Sequence, residues 1–539
     1  MVRKRLITLG YILVFWGVLP GILMALAAWG ERVFGPELPL PYLWPVGLLL
    51  AGTSGVMLAL SIVQYMRASG SLPIGAFPPQ RLIRSGVFGI WRHPIYLFYG
   101  FFLGGLAMIF WPAGSILIAS PALALGTFVY ARIEEGGLEK RFGRAYNGHR
   151  RQTSILIPRL FHLVRPLFAG LSRLFFRLEV AGRENGALDL PFVVISAHRS
   201  YLDPIFILLA LNVPVHFITT SEMFRNPISR LIFSKLLCLP EKRYKPDVRN
   251  ALEIRRRLLE GCVVGVFPEA ERSWTGTMIG FKPEAVKFLR NLPDIPILPV
   301  RLEGTYAAWP RWAWGPRRAK VTVIIEKPVY ASRGESSAEL EARLSRLVEP
   351  REAPDSRLSP LSAGGIESVI YRCPECLSVD AIHSGRGAHF RCSNCLADFT
   401  LLSDFSIQRS GDEVRAPLAS ISRRIRVMTE NSLSAPDCCV ARAPAQLSVE
   451  RLGRFAVVGT GRLDLSAHHL TFESGGASVL IDLESIRSLV IEGARKLQVF
   501  GGRPAGLFQF TLLGQSALKW QDLVVGTIRH RFGFSPSTV

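Results

Sequence analysis

Two apolar runs near the start of the chain, residues 7–28 and 42–66, set the first constraint on what it can fold into. Each is long enough to cross a hydrocarbon layer of ~30 Å as a helix, and in hydrocarbon only backbone that satisfies its own hydrogen bonds is tolerated. Two shorter runs follow at 94–110 and 113–130, joined through Trp111-Pro112 as a tight hairpin. A cleaved signal peptide is the competing reading of the first run, because Arg3-Lys4-Arg5 precedes it and Ala-Leu-Ala-Ala closes it. The run is too long for that, and more apolar runs come later. Four spans are expected.

Lys and Arg then orient the spans. Arg3, Lys4 and Arg5 precede the first; Arg67, Arg81, Arg84 and Arg92 lie between the second and third; Arg132, Lys140, Arg141, Arg144, Arg150 and Arg151 follow the fourth. The other two connections hold only Arg32. The positive-inside bias therefore places both termini, and everything after residue 131, in the cytoplasm of an inner or plasma membrane. The formal net charge of +22 then answers membrane lipid headgroups or phosphorylated substrates. No basic run interleaved with aromatics points to nucleic acid. Two of the eight cysteines stand alone (Cys238, Cys262), Cys438 and Cys439 are adjacent, and four form spaced pairs. This spread fits a reducing compartment, not a secreted disulfide framework.

Two stretches beside the spans carry chemistry: Ile-Trp-Arg-His-Pro-Ile-Tyr (90–96) and Ile-Glu-Glu-Gly-Gly-Leu (133–138). The hairpin brings them to one face, so His93, Tyr96, Glu134 and Glu135 either surround a cationic small molecule or form an ordinary interfacial belt of polar side chains. Arg-His-Pro-x-Tyr, then Glu-Glu-x-x-Leu, Phe-Gly-x-x-Tyr and Ile157-Pro158, resembles the isoprenylcysteine carboxyl methyltransferase and phospholipid methyltransferase group over roughly residues 80–158. The resemblance implies S-adenosylmethionine as cofactor at those four residues, the acidic pair facing its sulfonium. The chain departs at His149, where a second tyrosine is usual, and at Gly100, which comes late. Residues 159–179 punctuate a Leu/Phe-rich stretch with arginines, which suits an interfacial helix or a core helix of the next domain.

From residue 177, β-branched runs alternate with helical ones, an α/β organisation in which ligand chemistry gathers where strands hand over to loops. Val-Val-Ile-Ser-Ala-His-Arg-Ser-Tyr-Leu-Asp-Pro (193–204) is such a handover. Asp203-Pro204 reads as a helix start, with His198 in the loop before it. The carboxylate is then either a cap alone or the group that orients an imidazole acting as base. Downstream, Glu269, Arg272 and Ser273 follow another buried strand, and an arginine there suits a phosphate.

The order His-x-x-x-x-Asp, Phe-Arg-Asn-Pro, Phe-Pro-Glu-x-x-Arg-Ser, Phe-Lys-x-x-Ala, Ile-Pro-x-x-Pro-Val, over about 177–330, resembles the glycerolipid acyltransferase family, which includes the 1-acyl-glycerol-3-phosphate acyltransferases. The resemblance implies His198 as general base and Asp203 as its orienting partner. Arg243, Glu269, Arg272 and Ser273 become substrate-binding residues, and Pro299 lines the acyl-donor side. Acyl-CoA or acyl carrier protein is the implied donor, without a covalent acyl-enzyme. Ala197 stands where asparagine is usual, and Ala270-Glu271 where Gly-Thr is usual. The added carboxylate is expected to compete with a phosphate for Arg272.

In the last third, Cys373-x2-Cys376, fifteen residues, then Cys392-x2-Cys395, supplies two thiolate pairs for a tetrahedral structural Zn2+ site and resembles a zinc ribbon. His383 and His389 between the pairs read as surface residues. Residues 447–515 carry short alternating runs, followed by a helical stretch, which resembles a PH- or GRAM-type domain. The expected architecture is multidomain: a four-span α-helical transmembrane region (1–158), an α/β acyltransferase-like domain (159–330), a helix and linker (331–366), a zinc ribbon (367–405), a linker (406–446) and a β-rich PH/GRAM-like domain with a C-terminal helix (447–539). Three functions remain in play: lysolipid acyl transfer, lipid binding by a scaffold whose acyltransferase site has lapsed, and lipid methylation by the N-terminal region.

Overall fold

The computed structural model describes residues 2–38, 40–70, 73, 82–84, 86–156, 160–211, 213–235, 238–241, 248–332, 334–351, 362–385, 387–434, 440–451 and 454–538. Arg243, Ile157-Pro158 and Cys438-Cys439 lie outside them. The chain divides into two units: residues 1–165 with short pieces at 189–191 and 256–263, and the remainder.

Among the described residues of the first unit, three helices are long and apolar enough to cross a membrane: Thr8–Phe34, Trp44–Ser69 and Pro112–Phe142. Pro94–Phe110, expected as the third of four spans, has 17 residues, or about 26 Å of helix, a few ångströms short of a typical hydrocarbon core. The hairpin at Trp111-Pro112 is present, but the following helix does not stop at 130. It runs on through Glu134 and Glu135 to Phe142. Small residues let Trp44–Ser69 and Pro94–Phe110 approach closely: a Cβ on Gly105 would sit 2.6 Å from the Ala51 nitrogen and 2.9 Å from the Gly47 oxygen.

The second unit begins at Pro166, within helix Leu160–Phe176, which leaves Leu167, Leu171 and Leu174 more than half exposed, as an interfacial helix would. Seven strands follow: β1 (Glu179–Ala181), β2 (Val193–Ile195), β3 (Val215–Thr220), β4 (Leu239–Glu241), β5 (Val263–Val266), β6 (Ile297–Glu303) and β7 (Thr322–Ile325). Their order in the sheet is β1-β7-β6-β2-β5-β3-β4. Neighbours β2, β5 and β6 are parallel and buried along their whole length, as expected for a sheet covered on both faces. β7 turns back against β6, and β1 runs parallel to β7. Helix Ser337–Val348 begins in a capping box of Ser336 and Glu339 and buries Leu340, Leu344 and Val348.

The cysteine-bearing segment is a five-stranded antiparallel sheet: β8 (Ile382–Ser384), β9 (His389–Cys392), β10 (Asp398–Leu401), β11 (Ser406–Arg409) and β12 (Arg415–Pro417). The linker expected over 406–446 is therefore corrected. Its first part completes this sheet, and helix Leu418–Asn431 follows, burying Leu418, Ser422, Ile425 and Thr429. That one-in-four spacing is a helical stripe, but half of it is hydroxyl-bearing, which hid it in a polar composition.

Eight further strands, β13 (Ala441–Arg451), β14 (Arg454–Leu465), β15 (His469–Ser474), β16 (Ala477–Asp482), β17 (Ser488–Glu492), β18 (Lys496–Gly501), β19 (Gly506–Leu512) and β20 (Ser537–Thr538), form the C-terminal sheet. Helix Ala517–Phe532 lies between the last two in sequence. It docks on the cysteine module: Lys519 Nζ reaches Asp380 Oδ2 at 2.5 Å, and Tyr371 Oη donates to Asp522 Oδ2 at 2.9 Å.

Candidate active site

Strand register explains why the first two sequence blocks of the central domain meet. Ile195, the last residue of β2, pairs in parallel with Val266, the last of β5. Three residues beyond each stand His198 and Glu269, so the two loops leave the sheet side by side. The contact is direct: the His198 backbone N–H donates to Glu269 Oε1 at 2.9 Å. Glu269 Oε2 accepts from the Ile279 N–H at 3.0 Å. Ser273 closes the other side, its N–H donating to the His198 carbonyl at 2.9 Å. His198 is thus held at both backbone groups by the second loop.

The imidazole is fixed as firmly. Its Nδ1 lies 3.0 Å from Asp203 Oδ2. That same oxygen accepts the N–H groups of Arg199 (2.7 Å) and Ser200 (2.8 Å). An oxygen serving three donors acts as a carboxylate acceptor, so Nδ1 carries the hydrogen and Nε2 carries the lone pair. Asp203 opens helix Asp203–Leu211, as the sequence suggested, but this oxygen turns back to the loop. Asp203 is fully buried, while the His198 side chain keeps 16% of its surface. One face of the ring stacks on Phe267, with centroids 4.1 Å apart and planes at 17°.

Of the residues expected to bind substrate, Arg272 lies with its guanidinium 3.8 Å over the ring of Tyr201. Ser273 is buried, and its hydroxyl oxygen accepts the Gly276 N–H at 3.0 Å. Pro299 is buried within β6, beside Ile195 of β2. Glu269 differs from expectation: it is fully buried, with each carboxylate oxygen on a backbone N–H. Burial pushes its carboxyl up to about 7, against the two N–H bonds that favour the ionised form. Glu271 also differs. Its Oε1 accepts from Arg311 Nη1 at 2.6 Å, so the added carboxylate is neutralised by a residue 40 positions away. Ala270, where the related pattern has glycine, has a φ of 59°, a left-handed conformation that glycine adopts without strain. Sequence reasoning missed Phe267, Tyr201 and Arg199. The last is a largely buried arginine, its charge disfavoured by burial and sustained by Glu269 and Asp203.

The four cysteines converge, their Sγ atoms all within 4.8 Å of one another. Cys373–Cys395 and Cys376–Cys392 are each 3.7 Å apart, close to the ~3.8 Å edge of a tetrahedron with Zn–S bonds near 2.3 Å. The two turns are equivalent. Glu375 and Asn394 each donate a backbone N–H to the first sulfur of their pair at 3.4 Å, and Leu377 and Leu396 have φ of 62° and 59°. The donor set fits a zinc ion. His389 is engaged by Thr400 and plays no part in the cluster.

In the first unit, His93 Nδ1 lies 3.1 Å from Glu134 Oε2, and its Nε2 lies 3.7 Å from Glu135 Oε1. Arg92 Nε stands 3.3 Å from the same Glu135 oxygen. His93, Tyr96 and Glu134 line a half-open cleft that Tyr146 and His149 also border; Glu135 stays outside its lining, buried against Arg92. Burial, with Arg84 and Arg92 adding to it, pushes the His149 imidazole down to about 3, so it is neutral.

Comparison with known proteins finds a family model for each region. The acyltransferase family model matches residues 177–303, and the phospholipid methyltransferase model matches residues 44–145. The centre of the chain is thus similar to the acyltransferase family and its N-terminal region to the phospholipid methyltransferases. A chloroplastic 1-acyl-sn-glycerol-3-phosphate acyltransferase of Brassica napus is 32% identical over 181 residues, covering 32% of this chain and 52% of the relative. A mouse lysophospholipid acyltransferase is 31% identical over 167 residues, covering 28% of this chain and 30% of the relative. This chain thus spans about half the length, or less, of these curated relatives. A solved 1-acyl-sn-glycerophosphate acyltransferase of Thermotoga maritima aligns over 48% of this chain and 94% of its own, at 24% identity and a TM-score of 0.31.

Proposed function

We propose that this protein is a membrane-bound O-acyltransferase that moves a fatty acyl group from an acyl thioester to the hydroxyl of a lysophospholipid or related glycerolipid. The observation that carries the reading is the imidazole of His198, tied at Nδ1 to a buried carboxylate at the mouth of adjacent parallel strands. In this reading His198 Nε2 takes the acceptor's hydroxyl proton as the oxygen attacks the thioester carbonyl. The tetrahedral intermediate then collapses, the C–S bond breaks, and the departing sulfur recovers that proton from the imidazolium. Asp203 orients the ring and steadies its positive charge. Arg272, with Arg243, holds the acceptor's phosphate, and Glu269 and Ser273 hold the His198 backbone instead of touching substrate. The donor is acyl-CoA or acyl carrier protein, and the zinc held by Cys373, Cys376, Cys392 and Cys395 is structural. The membrane is an inner or plasma membrane, with the catalytic domain on its cytoplasmic side.

The purified full chain in lipid micelles, given labelled acyl donor and a panel of lysolipids, tests this. Product formation that disappears in His198→Ala supports it; no turnover with any acceptor leaves a lipid-binding scaffold. A second reading concerns the N-terminal cavity alone. Its Glu134, His93 and Tyr96 lining supports binding of S-adenosylmethionine, whose sulfonium a carboxylate would face.

A further inference from the structure

We propose that the C-terminal β domain is a working wall of the acceptor site, and that Arg311 is the positioning residue through which it acts. The proposal rests on the acyltransferase reading for its chemistry and on independent contacts for its geometry.

Arg311 is 2% exposed and contacts the 271–274 segment at three points. Nη1 donates to Glu271 Oε1 at 2.6 Å and, at longer range, to the Arg272 carbonyl at 3.4 Å. The guanidinium lies 4.4 Å over the ring of Trp274. The other arm of the fork reaches the C-terminal sheet, where Nη2 donates to the Ile491 carbonyl of β17 at 2.6 Å. A planar guanidinium can satisfy a carboxylate, two carbonyls and a ring face in one fixed orientation; an ammonium cannot. Arg272, the residue that would face the acceptor's phosphate, therefore has its own backbone held by a side chain anchored in another domain.

The grip is repeated at two other blocks of the acyltransferase pattern. Arg225, in Phe-Arg-Asn-Pro, stands 3.5 Å from Glu450 of β13, with its guanidinium 4.1 Å over the Phe455 ring of β14. Lys282, in Phe-Lys-x-x-Ala, donates to the Thr538 carbonyl of β20 at 2.8 Å. Three separate blocks, met by four different strands of one sheet, are more than incidental packing of a tethered module. Glu271 gains a purpose in the same arrangement. It is the handle by which Arg311 holds the segment, and pairing with Arg311 keeps its charge from the acceptor's phosphate.

The test uses the full chain in micelles with two variants. Arg311→Lys keeps the charge and loses the fork. The double variant Glu271→Gln with Arg311→Met removes both charges, so no buried ion is left alone. Expected in both is an acceptor KM raised by roughly tenfold to a hundredfold, the scale of an ångström-sized misplacement, with kcat and the donor KM little changed. Amide exchange over residues 269–279 should quicken. Loss of stability alone would lower the active fraction and leave the acceptor KM as it was; that pattern, with unchanged exchange at 269–279, overturns the proposal. If the parent protein turns over no acceptor, the acyltransferase reading falls while exchange still judges the tie: faster exchange in both variants upholds it, unchanged exchange removes it.

Discussion

The chain holds two histidines beside buried carboxylates, and they are built for opposite ends. His198 has one ring nitrogen on one carboxylate, with 16% of its side chain exposed. His93 has a carboxylate near each nitrogen, at 3.1 and 3.7 Å, and 3% of its side chain exposed. Burial disfavours a charged ring there, and the two acids outweigh it, so the imidazole is raised above its ordinary value. Proximity of a histidine to an acid thus does not by itself make a base; the number of acids around the ring matters too.

The widest separation between the two comes from replacing each. His198→Ala should lower acyl transfer by about a thousandfold, within the range for loss of a general base. His93→Ala should leave acyl transfer near its starting rate and weaken S-adenosylmethionine binding, measured by calorimetry. Equal loss of acyl transfer in both variants would erase the distinction. Asp203→Asn is the next largest. Its amide can present one oxygen to Nδ1 or to the Arg199 and Ser200 N–H groups, but it has lost the charge that steadies the imidazolium. A fall of about a hundredfold in kcat is expected, with the acceptor KM little changed, since orientation and charge at the base are what is removed.

How much of this could be read beforehand follows a physical divide. Features fixed by neighbours in sequence were legible: the paired thiol turns, the His-x-x-x-x-Asp loop, the long apolar helices and the alternation of strand and helix. Features fixed across the fold were not. Glu269 follows a strand just as a ligand-binding residue would, and only the Ile195–Val266 register shows that its carboxylate meets the His198 N–H. Glu271 sits beside Arg272 in sequence, yet its partner is Arg311. Helix Leu418–Asn431 reads as linker in the sequence because Ser422 and Thr429 occupy half of its buried stripe. Its Thr429 hydroxyl is spent on the Ile425 carbonyl at 2.8 Å, which lets a polar residue lie inside.

The smallest expected effect concerns Glu269, and it sharpens the contrast by asking what holds the His198 loop in place. Both carboxylate oxygens accept N–H groups, an arrangement only the ionised form satisfies, yet burial has raised its folded value to about 7 from an ordinary 4.5. The sign follows directly. A folded value above the unfolded one means that neutral Glu269 favours the fold; this contribution is full below 4.5 and is lost as pH rises through about 7. Activity should run the other way, rising as the carboxylate ionises and takes up both N–H groups. Glu269→Gln offers one oxygen and turns an amide N–H2 toward the second donor, so acyl transfer should drop roughly tenfold, the scale of one buried donor left without a partner. It should also flatten the stability change between pH 4.5 and 7. An acid limb that survives unchanged in Glu269→Gln does not belong to this carboxyl, and Glu269 then braces the loop without gating it.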